Sequence, residues 1–107
     1  MARGQSLRAA LHLGDIGAAE RVDLFVCVRG PDRTLCFLPH GDDVPMPSAA
    51  DLVVGSNTCI EVADVATDGG WQLGPHELTV ALFLPDSDPN LINHCYWATS
   101  ARFEITA

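Results

Sequence analysis

The chain has no apolar stretch long enough to cross a lipid bilayer, and it has few basic residues. Its 107 residues include 14 Asp and Glu against 6 Lys and Arg, which gives a formal charge of −8. Phosphate and anionic lipid are bound by clustered Lys and Arg, and here the basic residues are scattered. We therefore expect no nucleic-acid partner and no membrane insertion. The N-terminus shows no charged-then-apolar leader, so no signal peptide is visible.

No segment has the 3.6-residue apolar period of an amphipathic helix, apart from one weak candidate at 48–52. Apolar and polar residues alternate instead with a period of two, as in half-buried strands. The alternation predicts strands at 6–13, 21–29, 34–38, 52–54, 58–65, 77–84 and 96–106. Gly-, Pro- and Asp-rich turns separate them. We expect one domain over residues 1–107 of all-β class, an antiparallel β-sandwich of about seven strands.

The alternation also assigns side chains to the two faces of each strand. Leu84 is predicted to point inward at the end of its strand, and Ala101 inward in the last strand. Phe25 and Cys27 are predicted to point outward in the second strand, and Phe83 outward in the sixth. Because large apolar groups seldom stand alone on a solvated face, Phe25 and Phe83 predict a covered surface.

Three segments carry a family resemblance. The first reads Asp-Leu-Phe-Val-Cys-Val at 23–28, Pro-Asp at 31–32 and Leu-Cys-Phe-Leu-Pro at 35–39. The others are the strand entry at 73–82 and the closing strand at 100–105. Together they resemble immunoglobulin-like and fibronectin-type-III-like sandwich modules of bacterial secreted and cell-surface proteins. Two departures stand out: Arg33 replaces the Gly of the family's turn, so we expect no positive φ there, and Leu78 replaces a Tyr.

The resemblance implies a module that spaces, packs or adheres, located outside the cell or on the bacterial cell surface. It carries over no catalytic residue. It therefore favours a protein-contact role over an enzymatic one.

The four cysteines predict cross-links. Cys27 and Cys36 are equidistant from the centre of the Pro31-Asp32 turn, so they should face each other across a hairpin and form a disulfide. Cys59 and Cys95 then pair by elimination, although their strand parities fit less well. Two bridges would indicate an oxidising compartment, whereas reduced cysteines would indicate a cytosolic protein. The spacing does not match that of a zinc site.

The remaining polar groups form no recognisable catalytic or metal motif. Asp86, Asp88 and Asn90 resemble the start of a calcium loop, but the pattern lacks the turn glycine and the bidentate Glu, and solvated turns are commoner. The four histidines lie on separate segments without a nucleophile motif. We expect no enzyme and no cofactor.

The predicted function is a non-enzymatic extracellular structural or binding module that mediates protein–protein contacts. Phe25, Phe83 and Trp71 are the candidate partner surface, for a protein partner or for self-association. One alternative is a subunit of a self-assembling surface layer or filament, joined by strand addition or face packing. Another is a small glycan-binding module that uses Trp71. Against the glycan reading, we favour a core position for Trp71 or Trp97.

Overall fold

The computed structural model describes residues 1–14, 20–33, 35–38, 41, 43–67, 71–85 and 95–107. These ranges contain seven β-strands: β1 (Ser6–His12), β2 (Glu20–Arg29), β3 (Leu35–Leu38), β4 (Ala49–Val54), β5 (Cys59–Ala66), β6 (Gly74–Phe83) and β7 (Cys95–Ile105). The predicted all-β fold is confirmed. In the described part of the chain, no helix is long and apolar enough to span a membrane.

The strands form two antiparallel sheets of unequal size. The larger sheet has the order β3-β2-β6-β7, with β4 also paired to β2, and the smaller sheet consists of β1 and β5. β3 pairs with residues 26–29 of β2 and β4 with residues 20–24, so they share the edge of β2 that β6 does not occupy. The larger sheet is therefore four strands wide and the smaller sheet two.

The hydrophobic core lies between the two sheets. We call the side of the larger sheet that carries the β2 and β6 core residues its inner face, and the opposite side its outer face. The alternating Val and Leu residues of β2 and β6 pack against apolar residues of β1 and β5, as the period-two pattern predicts. The most deeply buried members of this core are Val22, Val26, Val54 and Leu82.

Three local predictions are wrong. The candidate helix at 48–52 lies largely within β4, which begins at Ala49. Leu84, predicted to be inward, is 47% exposed because β6 ends at Phe83 and Leu84 lies beyond its last ladder position. Ala101, also predicted to be inward, is exposed although its strand is correct.

The β2–β3 turn contains one residue more than the sequence reading allowed. Arg29 pairs with Leu35, so the register places Val28 opposite Cys36 and Cys27 opposite Phe37. The amide of Arg33 donates to the carbonyl oxygen of Gly30 at 3.0 Å, and Arg33 has a φ of 68°. Arg33 is thus the last residue of the four-residue turn 30–33, and its left-handed conformation is accompanied by one extra loop residue, which shifts the register by one. The expectation that Arg33 avoids positive φ is therefore wrong.

Arg33→Gly should stabilise the fold, because a left-handed residue with a Cβ costs about 1–2 kcal/mol relative to glycine. The added flexibility of the unfolded chain offsets part of this gain, so we expect an increase of about 1 kcal/mol in the free energy of unfolding. Urea denaturation measures it. Arg33→Ala is the matched control, since it removes the guanidinium but keeps the Cβ; an equal gain in both variants would contradict the explanation.

Candidate functional site

The one-residue register shift separates the two cysteines of the hairpin. Cys36, opposite Val28, packs against the core on the inner face. Cys27, opposite Phe37, lies on the outer face. Because the two side chains project from opposite faces of the sheet, the predicted facing arrangement of Cys27 and Cys36 is wrong.

The other two cysteines lie in different sheets. Cys59 is exposed and stands opposite His12 in the smaller sheet. Cys95 stands opposite Phe83 in the larger sheet, and its Sγ lies 3.4 Å from the carbonyl oxygen of Trp97 and 3.8 Å from that of Leu82. All four cysteines lie within the described residues, and the structure contains no disulfide between any of them.

The outer face of the larger sheet carries an apolar groove. Phe25 and Phe83 have the outward parity predicted from the sequence, yet they are only 6% and 7% exposed. Their rings make an edge-to-face contact with centroids 5.2 Å apart. The groove has a volume of about 490 Å³, and the residues that line it include Phe37, Ala81, Pro45, Asp43, Arg29 and Glu77. We refer to it as the outer-face groove.

Cys27 also lines the outer-face groove. Burial raises the pKa of its thiol above the ordinary value, and a backbone hydrogen bond with Cys36 acts in the opposite direction. The neutral thiol is therefore the favoured form at neutral pH. A protonated thiol is a poor nucleophile, so the groove can accept an apolar group but does not hold an activated cysteine.

Trp71 belongs to an aromatic cluster centred on the buried His76. The His76 ring is stacked on Phe103, with centroids 5.2 Å apart and planes at 19°, and lies 5.9 Å from the Trp71 ring. The Nδ1 of His76 is 2.9 Å from the carbonyl oxygen of Gly74, and since a carbonyl only accepts, Nδ1 carries the proton. Trp71 is half-buried against the core. The sequence-based preference for a core position fits Trp71 better than an open stacking platform does.

The outer edge of β7 is the longest open backbone in the described part of the chain. β7 pairs with β6 along one side. On the other side, the amino group of Met1 donates to the carbonyl oxygen of Glu104, and Met1 and Arg3 exchange backbone bonds with Thr106. From residue 95 to residue 103, no described residue pairs with this side of the strand. We call this stretch the open edge.

Beside the open edge, the inner face is uncovered. Leu78, Val80 and Leu82 of β6 are buried, at 6%, 5% and 1% exposure. Their partners across the ladder on β7 are Ala101, Thr99 and Trp97, all of which are exposed. Along residues 97–101, the cover of the inner face therefore ends between β6 and β7, whereas Phe103 and Ile105 at the C-terminal end of β7 are packed. Alternation correctly placed Leu78, Val80 and Leu82 on the inner face, but it carries no signal for where the second sheet stops, and the expected burial of Ala101 failed for that reason.

Several candidate residues lie outside the described ranges, among them Asp86, Asp88 and Asn90 of the calcium hypothesis and two of the histidines, His40 and His94. Within the described ranges, no group of three or more His, Cys, Asp or Glu is arranged to hold a metal ion. Comparisons with protein-family models, with curated proteins and with solved structures found no match for this chain.

The raised pKa of Cys27 predicts a pH dependence of stability. The folded state holds the Cys27 proton more tightly than the unfolded chain does. This contribution is fully present below the ordinary thiol pKa of ~8.5 and is lost as the pH rises through the higher folded value. Cys27→Ser should therefore lose less stability between about pH 8 and pH 10 than the wild type, measured by urea denaturation. Cys59→Ser, which removes an exposed thiol, is the control; identical profiles for all three proteins would refute the assignment.

The aromatic stack predicts a second stability effect. His76→Ala removes a buried ring from between Phe103 and Trp71, and we expect the free energy of unfolding to fall by about 2–3 kcal/mol. Chemical denaturation followed by Trp fluorescence measures the loss. His12→Ala is the matched control because His12 is exposed, and it should change stability by less than about 0.5 kcal/mol. Similar losses in the two variants would argue against a packing role for His76.

Proposed function

We propose that this chain is a non-enzymatic structural or binding module that makes protein–protein contacts by accepting a strand at the open edge of β7. One observation carries the proposal: β7 is a long edge strand whose backbone is unpaired by the described residues from 95 to 103. An edge of this kind supplies a row of hydrogen-bond donors and acceptors for an incoming extended chain.

The chemistry of the open edge supports this use. Natural proteins protect an edge from pairing with charged side chains, Pro, bulges or short strands. Residues 95–101 read Cys-Tyr-Trp-Ala-Thr-Ser-Ala, with no charge and no Pro, in a molecule whose formal charge is −8. The β6–β7 ladder shifts register between Cys95 and Trp97, so the regular part of this uncharged edge is 97–101. Trp97 is 37% exposed beside this edge and offers a large apolar surface next to the hydrogen-bonding groups. An edge-binding chain would gain main-chain bonds and cover this ring.

We also propose that the module is of the immunoglobulin-like or fibronectin-type-III-like type, because its strand order is consistent with theirs. In such sandwiches, the strands called C, F and G are neighbours in one sheet, and B and E are neighbours in the other. The orders β2-β6-β7 and β1-β5 correspond to them. A location outside the cell or on a bacterial surface follows from that likeness alone, since the arrangement of the cysteines gives no disulfide to add to it.

Of the alternatives, the open edge favours self-association over glycan binding. Trp71 packs against His76 and the core and is half-buried, so less of its ring is accessible for stacking on a sugar than in an exposed tryptophan. A self-assembling subunit, by contrast, needs an edge that another copy can extend. The geometry therefore supports a protein partner better than a carbohydrate.

A peptide selection tests the proposed function. A displayed library of random peptides of about ten residues would be selected against the purified protein, and the enriched peptides titrated into isotope-labelled protein. We expect amide shifts concentrated at residues 95–103 and alternating apolar residues in the peptides. Peptides that shift only the outer-face groove, or no enrichment at all, would contradict the proposal.

Ala98→Pro is the blocking variant and Ala98→Ser its matched control. Ala98 is exposed. Its N–H points away from β6, because Glu104 and Thr106 bond to the N-terminal segment and bond directions alternate along the regular ladder from 97 to 105. Proline there removes an edge donor without breaking the β6 ladder. The proline variant should lose peptide binding by roughly tenfold or more, whereas the serine variant should retain it.

A further inference from the structure

We infer that the partner of the open edge is a second copy of this chain, paired antiparallel through β7 about a two-fold axis at Thr99. This inference rests on the proposed function, because it names the strand that the open edge accepts. Three observations support it. Backbone bond directions alternate along β7, the N-terminal segment already occupies the edge beyond residue 103, and the uncharged stretch 97–101 is centred on Thr99.

The direction of each backbone group on β7 follows from its bonds near the C-terminal end. The amide and carbonyl of Thr106 both bond to the N-terminal segment, and the carbonyl of Glu104 accepts from Met1. In a regular strand, the amide and carbonyl of one residue point to the same side, and the sides alternate along the chain. The β6–β7 ladder has no register shift between 97 and 105. The backbone N–H and C=O groups of Arg102, Ser100 and Ala98 therefore also point away from β6, toward the open edge.

The backbone groups that point toward the open edge restrict how two copies can pair. In an antiparallel pair, a residue whose backbone groups point toward the partner strand must face a residue whose groups point back at it. Two facing residues of the two copies must therefore both have even numbers or both have odd numbers. Glu104 and Thr106 are already bonded to Met1 and Arg3 of their own chain. Pairing that leaves those bonds intact is confined to residues 95–103, and the ladder of β7 is regular only from Trp97 onward. The regular, uncharged part of this stretch is therefore 97–101, and its symmetric centre is Thr99. The backbone groups of Ala98 then bond with those of Ser100 of the other copy, and in both residues these groups point toward the open edge.

The side chains that face each other in this register are compatible. Thr99 meets Thr99 at the axis as a non-hydrogen-bonded pair, the closer of the two antiparallel arrangements. On the same inner face, Trp97 meets Ala101, so each large ring lies beside a small side chain. No residue from 97 to 101 is charged, so no like charges oppose each other where the two strands cross.

The charge distribution favours a second copy over a basic partner. An acidic protein that binds basic segments would carry carboxylates along the binding edge, and the open edge has none before Glu104. Two copies, each at a formal charge of −8, repel at long range, so the contact should strengthen as salt screens that repulsion. The short pairing length makes this a weak contact that forms at high protein concentration.

A charge-swap experiment at Thr99 tests the symmetry directly. Sedimentation velocity would follow wild type, Thr99→Glu, Thr99→Lys and an equimolar mixture of the two variants over a roughly hundredfold concentration range. We expect the wild type to dimerise and each variant alone to dimerise at least about fivefold more weakly, because like charges meet at the axis. The mixture should recover dimers at or above the wild-type level, and salt should weaken those mixed dimers.

Two further variants keep the result interpretable. Ala98→Pro should abolish wild-type dimers, and Ala98→Ser should preserve them; circular dichroism establishes that each variant folds. A wild type that stays monomeric, or a mixture that associates no better than its components, would overturn the inference. The proposed function would then stand or fall separately on the peptide selection, because peptide binding at 95–103 requires no second copy.

Discussion

The difference in width between the two sheets is the constraint on which the rest of the structure depends. Neighbouring strands lie about 4.8 Å apart, so a sheet four strands wide spans about 14 Å and a pair of strands about 5 Å. The described residues of the smaller sheet therefore leave residues 97–101 of β7 uncovered, whereas Phe103 packs against the core and Ile105 is buried at the C-terminal end of the strand. Leu82 is buried, and its ladder partner Trp97 is exposed, for this reason. The uncovered inner face beside the open edge follows from this mismatch, whereas the open edge itself exists because β7 is the last strand of its sheet.

The β2–β3 turn shows how one backbone torsion controls chemistry on two faces. The left-handed Arg33 adds a residue to the turn, and a shift of one residue moves every side chain of a strand to the opposite face. Cys36 therefore joins the core, and Cys27 lines the outer-face groove. A turn of four residues would have brought the two thiols together. The register thus decides between a cross-link and a buried thiol.

Burial on the outer face comes from contacts between segments far apart in the chain. Phe25 of β2 and Phe83 of β6 shield each other, and Pro45 lines the same groove. On the inner face, Trp71 likewise reaches His76 from the connection between β5 and β6, and His76 stacks on Phe103 of β7. An apolar outward residue therefore marks a face that is covered, but the pattern alone does not say whether the cover is the chain itself or a partner.

The sequence by itself determined the fold class, the seven strands within a few residues, and the face on which Val26, Leu82 and Phe83 lie. Local alternation and turn chemistry suffice for these features, because strand period and turn propensity are properties of neighbouring residues. Only the tertiary structure decided the strand order, the hairpin register and the exposure of Trp97. The strand order depends on which distant strands pair, the register on the positive φ of Arg33, and the exposure of Trp97 on how far the second sheet extends. None of these can be predicted from the local pattern of neighbouring residues.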